Sequence, residues 1–490
     1  MIKNKYISVI SIILLFISLI GVYSLTYYLK SIDYLEPSIE YASRLFNDNY
    51  VHKINIDIDE DNWNLIVDIP EKKEYYPCNI TIDDVVFNNV GIRTKGFSSL
   101  QEVKLMGDSE RYSLKIDFNR YDSVSTYFGL DKIALNNLCF DASYLRDYFA
   151  LDMMNFMGVK TPLISFTEVY INGEYLGLYT ALECVENSFL HRNYGKSKGE
   201  LYKPFSENPI VIDYLAEIVD FYEDLDINEG AKRDIISFIE EHYLTTGFSH
   251  SDIIDIFREY GYSESFSNTV LNNMLLRVQS LEESQKVDYL GSDLVYKGDS
   301  VDLYPEIFDN VKIPISYKDK QKCVRYLKNL NKYINVDNLT SYFAVDYFVA
   351  NSDGYICQTI HNYYLYLNDK LNFIPWDYNA AFKQEDLSSS IVGTYHFNYD
   401  IKQRPVFYLI SQNYLDEYIE KLEYLMEKYF KSGYFEMKLN KQVELIRPYV
   451  EKDITSFYGI EDFDKAVKDL EFFCKERIKN VELEIESLSK

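Results

Sequence analysis

Two carboxylates in the C-terminal half of the chain have the types and spacing to do chemistry together. Asp353 lies in Asp-Gly-Tyr-Ile-Cys-Gln-Thr-Ile-His-Asn and Asp377 in Phe-Ile-Pro-Trp-Asp-Tyr-Asn-Ala-Ala-Phe, with a short apolar hairpin between them. A single loop aspartate is usually a turn residue. Here the pair brackets a hairpin, and the amides Gln358 and Asn362 lie between the two acids. Oxygen donors of this kind suit magnesium, which keeps waters and takes one or two carboxylates plus substrate phosphates. Two carboxylates in fixed relation are what metal-assisted phosphoryl transfer requires.

A second set is cationic: Arg93, Lys95, Lys115 and Lys203. Arg93 and Lys95 precede Gly96 and Ser98-Ser99, a loop whose backbone amides can approach a phosphate. The plain alternatives are an ordinary turn at Gly-Phe-Ser-Ser and solvent-facing lysines at 115 and 203. Other chemistries find less support. The six histidines are dispersed from His52 to His396, and no Gly-x-Ser-x-Gly elbow is present. The six cysteines form no Cys-x-x-Cys pair, which argues against structural zinc. A net charge of −27 argues against a nucleic-acid surface, and it means that a phosphate ligand needs a local cationic cluster.

The elements that must position these groups are legible in outline. Before Asp353, residues Leu339, Tyr342, Phe343, Tyr347 and Ala350 recur at helical spacing, with Asp337 as the expected N-cap. Tyr363 to Leu367 reads as a strand, Asn368-Asp369 as a turn and Leu371 to Ile374 as the return strand. Nearer the N-terminus, Ile54, Ile56 and Ile58, then Ile80 and Ile82, then Val90 and Ile92 alternate with polar residues as half-buried strands do. Asp141 is expected to cap a helix with Leu145, Phe149, Met153 and Met157 on one face, ended by Gly158. Glu168 to Leu182 reads as a hairpin about Asn172-Gly173.

With 490 residues, 47% of them hydrophobic, the chain is globular and long enough for several domains. The reading divides it into an N-terminal stub and anchor (1–30), a juxtamembrane linker (31–50), a strand-rich lobe with one helix (51–203), an acidic helical insertion (204–335), a segment holding the loop, hairpin and second aspartate (336–410), and a helical tail (411–490). The insertion is expected to add no catalytic group, with Lys297 as the residue to watch. Ile7 to Leu29 is free of charge, about as long as a bilayer span, and preceded by Lys3 and Lys5. It reads as an uncleaved single-pass membrane anchor with the body outside the cytoplasm. The resulting expectation is an α+β, two-lobed architecture with its site in the cleft.

Several of these segments together resemble the spore coat protein H (CotH) family of atypical kinases. The carrying residues are Val90-Gly-Ile-Arg-Thr-Lys-Gly-Phe-Ser-Ser99, Asp141-Ala-Ser-Tyr-Leu-Arg146, Val169-Tyr-Ile-Asn-Gly-Glu-Tyr-Leu-Gly-Leu-Tyr179, Glu183, Leu201-Tyr-Lys203, Asp353-Gly, His361-Asn-Tyr-Tyr-Leu-Tyr366 and Ile374-Pro-Trp-Asp-Tyr-Asn379. They occur in the family's order between about Asp57 and Phe382. The resemblance implies a minimal, two-lobed protein-kinase-like fold that transfers the γ-phosphoryl group of ATP, with magnesium or manganese, to serine or threonine of spore-coat or other surface proteins or of the chain itself. By position, Asp353 looks like the catalytic-loop carboxylate and Asp377 like the metal-binding one, with Asn362 or Gln358 as second metal ligand. Arg93, Lys95, Ser98, Ser99, Lys115 and Lys203 are then expected around the phosphates, Glu183 near the hinge and Trp376 over adenine.

Two departures stand out. Ordinary kinases carry a metal-binding Asn about five residues after the catalytic Asp, where this chain has Gln358. Lys95 replaces the second arginine of the family's Arg-x-Arg-Gly pattern, which keeps charge but loses the planar fork. Two other classes of function fit the same residues: a catalytically silent surface or coat assembly protein, and a phosphotransferase acting on a small molecule or glycan.

Overall fold

The computed structural model describes residues 39–107, 109–122, 124–195, 199–204, 221–222, 225, 227–242, 250–271, 273–274, 294–296, 333–357, 361–393 and 404–488. They divide into two compact units, one within Met1–Lys198 and Tyr424–Cys474, the other within Gly199–Glu423 and Lys475–Lys490.

The first unit is built on a closed barrel of seven strands in the order β1-β2-β3-β4-β5-β7-β6. These are β1 (His52–Ile58), β2 (Tyr76–Ile82), β3 (Val85–Thr94), β4 (Leu114–Asp117), β5 (Lys132–Asn136), β6 (Ile164–Ile171) and β7 (Glu174–Glu183). The period-two alternation sends Ile54, Ile56, Ile80, Ile82, Ile92 and Ile116 into one hydrophobic core. Closure comes from β1 lying parallel to β6, with Ile54 opposite Val169 and Ile56 opposite Ile171. The β6–β7 turn helps to fix that closure. Asn172 and Gly173 both take left-handed backbone, φ 51° and 88°, as a tight two-residue hairpin requires. Asn172 Oδ1 accepts from the Ile58 amide at 2.8 Å, and the Asn172 amide donates to the Ile56 carbonyl at 2.8 Å.

Among the helices between and beside the barrel strands are α1 (Ser98–Met106), α2 (Arg146–Phe156) and α3 (Asn187–Tyr194). Asp141 does serve α2, though from further back than a cap normally sits. Its carboxylate accepts from the Ser143 amide at 3.0 Å and from the Arg146 amide at 2.8 Å. The helix Tyr434–Lys452 ends at Asp453, which pairs with Arg111 at 2.7 Å with both side chains buried. Arg111 also donates to the Leu178 carbonyl at 2.5 Å, over Gly177, where a Cβ would stand 2.8 Å from the guanidinium.

The second unit holds a four-stranded sheet ordered β11-β10-β8-β9, comprising β8 (Glu200–Pro204), β9 (Leu294–Tyr296), β10 (Tyr363–Leu367) and β11 (Leu371–Pro375). The β10–β11 hairpin has Leu367 opposite Leu371 and Tyr363 opposite Pro375. Helix α4 (Val336–Phe348) precedes it and is buried along nearly its whole length. Asn335, rather than Asp337, caps α4, its side chain accepting from the Asn338 amide at 3.3 Å. Within 204–335, the helices Glu229–His242 and His250–Glu259 pack Ile235, Ile239, Ile253 and Phe257 into a separate small core. Lys297 lies outside the described residues.

The expected two-lobed kinase-like fold with an N-terminal transmembrane helix is overturned. Alternating strands specify an inner and an outer face but not whether a sheet stays open, and β1 pairing with β6 closes this one into a barrel. Among the described residues no helix is long and apolar enough to cross a membrane; the Ile7–Leu29 segment lies outside them.

Candidate functional site

In the second unit, Asp353 and Asp377 stand on two loops held side by side by hydrogen bonds. The chain leaves α4 through Ala350, whose φ of 49° turns it sharply. Asn351 then works in two directions. Its Nδ2 donates to Asp346 Oδ1 at 3.2 Å, and its Oδ1 accepts from the Asp353 amide at 3.3 Å. Cys357 Sγ donates back to the Asn351 carbonyl at 2.9 Å, and Arg404 donates to the Cys357 carbonyl. The facing loop follows β11. Ser352 Oγ donates to the Ala380 carbonyl at 3.0 Å, and the Phe382 amide donates to the Val349 carbonyl at 2.8 Å.

The two acids differ in their surroundings. Asp353 is half-buried, and its Oδ2 accepts from Asn362 Nδ2 at 2.8 Å, so this amide orients the carboxylate. Asp377, also half-buried, has no hydrogen-bond or ion-pair partner among the described residues. Its backbone is left-handed at φ 55°, as are Asn362 at 59° and Phe382 at 60°. Each such non-glycine residue costs roughly 1–3 kcal/mol and persists because its surroundings dictate it. Such clustering around a half-buried, unpaired carboxylate fits a cation site. Among the described residues there is no group of three or more acidic, His or Cys side chains that could cage a metal. Magnesium does not need one.

Asp346 and Arg477 are the residues here that sequence reading missed. Asp346 is fully buried on α4 and accepts from Tyr378 Oη at 2.8 Å as well as from Asn351. Burial raises its carboxyl to about 7, against the pull of the Tyr378 and Asn351 hydrogen bonds. Arg477 closes the C-terminal end of α4, donating to the Phe348 carbonyl at 3.1 Å and the Tyr347 carbonyl at 2.7 Å. It reaches the Leu387 carbonyl at 3.0 Å too. Lys203, on β8, places its ammonium 5.3 Å from the Tyr364 ring and 5.9 Å from the Trp376 ring. The Trp376 indole is buried edge-on against Tyr364, so its ring is engaged in packing. Gln358 lies outside the described residues.

In the first unit, the expected cations share the outer face of β3 and β4. Arg93 is directly opposite Lys115 across the antiparallel pair. Arg93 donates to the Thr94 carbonyl at 2.8 Å and lies 5.0 Å over the Tyr75 ring. Lys95 donates to Asn136 Oδ1. Lys73 joins this group: burial and the neighbouring charges of Arg93 and Lys95 push its ammonium below its ordinary pKa. Ser98 and Ser99 do not prolong the Gly96 loop; they open α1.

Lys115 is neutralised by Glu186, which stands at the N-cap position of α3. Glu186 Oε1 lies 2.7 Å from Lys115 and its Oε2 lies 2.5 Å from Lys132. Although burial disfavours its charge, the two lysines hold Glu186 down at about 2. Glu183, three residues earlier, is fully buried and serves the fold. Its carboxylate accepts from Arg192 at 2.5 Å, Tyr41 at 2.5 Å and the Leu163 amide at 3.0 Å.

The second unit thus carries paired carboxylates on braced loops, and the first a cationic barrel face. A family model described as "CotH kinase protein" matches residues 92–242 and 315–481, and the chain belongs to this family. The chain is also similar to "Inner spore coat protein H" of Bacillus subtilis (strain 168). The two are 23% identical over 343 residues, covering 69% of this chain and 74% of the relative.

Proposed function

We propose that the chain is a phosphotransferase that moves the γ-phosphoryl group of ATP onto a serine or threonine hydroxyl of a spore-coat protein, of another surface protein or of the chain itself. The observation that carries this reading is Asp377. Its half-buried carboxylate has no partner among the described residues, on strained backbone, beside the Asp353 loop. Family membership and the coat-protein relative support the same direction.

In this reading, Asp377 holds a divalent metal, which when bound supplies neutralisation of phosphate charge. Asp353, oriented by Asn362, accepts a hydrogen bond from the acceptor hydroxyl and takes its proton as the oxygen–phosphorus bond forms and the bond from the γ-phosphorus to the β,γ-bridging oxygen breaks, releasing ADP. Because the transition state is loose, this orientation matters more than basicity. Lys203, of the same unit, is a phosphate contact; on the barrel of the first unit, Glu186 holds Lys115 in an ion pair.

The relative's printed name describes a coat component, which favours a second reading: an assembly protein without turnover. Labelled ATP, magnesium and the chain, with and without coat extract, separate the two. Label on serine or threonine that disappears in Asp353→Ala supports transfer. Metal-dependent nucleotide binding without any label supports assembly.

A further inference from the structure

Asp346 is neither of the carboxylates assigned to the chemistry, yet it touches the segments that carry both. A single oxygen, Oδ1, accepts from Tyr378 Oη at 2.8 Å and from Asn351 Nδ2 at 3.2 Å. Tyr378 is the residue after Asp377. Asn351 is two before Asp353 and accepts that residue's amide at 3.3 Å. The neighbourhood leaves little slack: a Cβ on Gly354 would meet Asn351 Nδ2 at 2.7 Å and Asp346 Oδ1 at 3.3 Å.

We propose that Asp346 is a positioning residue that holds the Asp353 loop and the Asp377 loop in one register through Asn351 and Tyr378. The helix supplies the rigid reference. Asp346 projects from α4, which is buried along nearly its whole length and whose C-terminal carbonyls are closed by Arg477. Both loops pass through left-handed backbone at Ala350 and Asp377, conformations that persist only where surrounding contacts dictate them. A buried acceptor shared by one donor from each loop supplies such contacts, and loss of either donor removes one of the two hydrogen bonds and with it the link to that loop. The consequence for catalysis rests on the phosphotransferase reading; the coupling between the loops does not.

The test is hydrogen exchange on the full chain, with phosphoryl transfer measured beside it. Tyr378→Phe keeps the ring and removes one donor, and it is expected to raise exchange about tenfold in 350–357, a segment to which residue 378 does not belong. Exchange in β6 and β7 should stay at the wild-type rate. Asp346→Asn keeps an acceptor oxygen and should change 350–357 less than Asp346→Leu does. In the Asp346→Leu background, Tyr378→Phe should add nothing. Where transfer is measurable, Tyr378→Phe should lower kcat with KM for ATP nearly unchanged. Wild-type exchange of 350–357 in Tyr378→Phe, or additive effects of Tyr378→Phe and Asp346→Leu, would overturn the coupling. Coupled exchange with no wild-type transfer would leave Asp346 as the register residue and remove the kinase reading instead.

Discussion

Replacing Glu186 by Gln should unsettle the barrel's cationic face by an amount that its geometry sets. Glu186 bridges Lys115 at 2.7 Å and Lys132 at 2.5 Å, on neighbouring strands, with the three side chains 17–22% exposed. Its carboxyl is held at about 2, against an ordinary 4.5, and this drop corresponds to roughly 3 kcal/mol at about 1.4 kcal/mol per pH unit. Partial exposure screens the pair, so about 2–3 kcal/mol is the expected loss in Glu186→Gln at pH 7. Two lysines then face each other with Asp117 as a remaining partner, 3.8 Å from Lys132.

The sign with pH follows from the depressed folded-state pKa. The stabilisation is full above about 4.5 and is lost as pH falls from there through about 2. Urea unfolding at pH 7, 5, 4 and 3 checks both parts. Wild type should lose stability faster than Glu186→Gln below pH 4.5, so the two curves converge. If the variant lay within about 0.5 kcal/mol of wild type at pH 7, or if the curves stayed parallel down to pH 3, the bridge would be an ordinary surface pair. Its assigned part in holding Lys115 would then fail as well.

Other perturbations follow from the same contacts. Asp377→Ala should abolish the metal dependence of nucleotide binding together with transfer, whereas Asp353→Ala should leave binding intact and lower transfer by roughly two to four orders of magnitude; nucleotide titrations with and without magnesium distinguish them. Gly177→Ala should destabilise the first unit by about 2–4 kcal/mol in urea unfolding, because φ is 144° and the new Cβ would meet the Arg111 guanidinium at 2.8 Å. Arg477→Met should cost the second unit about 1–3 kcal/mol, since the Tyr347 and Phe348 carbonyls lose the guanidinium, although the Ala350 amide still donates to Tyr347 at 3.2 Å; hydrogen exchange at the end of α4 reports it.

What the sequence disclosed is what local pattern can carry. Asn172-Gly173 demanded two left-handed residues, and the hairpin formed there. The β10–β11 hairpin paired in register about its short polar turn, with the aromatic-rich Tyr363–Leu367 and Phe373-Ile374 supplying the strand-forming residues. Closure of the barrel was a different matter. It depends on β1 meeting β6, more than a hundred residues apart, and alternation in each strand is the same for an open sheet as for a closed one. Caps were legible as types but not as positions: Asn335 took the place expected for Asp337, and Asp141 reached Arg146 from outside the helix.

The candidate site divides along the same line. Asp353 and Asp377 were visible because the first follows a helix-patterned stretch and the second a strand end, with a hairpin between them. Glu186, Asp346 and Arg477 were not, because each lies in an unremarkable stretch and acquires its meaning from partners far along the chain. Glu186 meets Lys115 across 71 positions, and Arg477 reaches Phe348 across 129. Asp346 interrupts a helix that is otherwise core, and a buried carboxylate is costly unless its surroundings supply donors. Those donors, Asn351 and Tyr378, come from the two loops that carry Asp353 and Asp377. A polar residue interrupting a helix that otherwise reads as core, just upstream of a paired-aspartate stretch, is therefore a signal worth weighing. The interruption has a cost, and here it is offset where the Asp353 and Asp377 loops are held to one another.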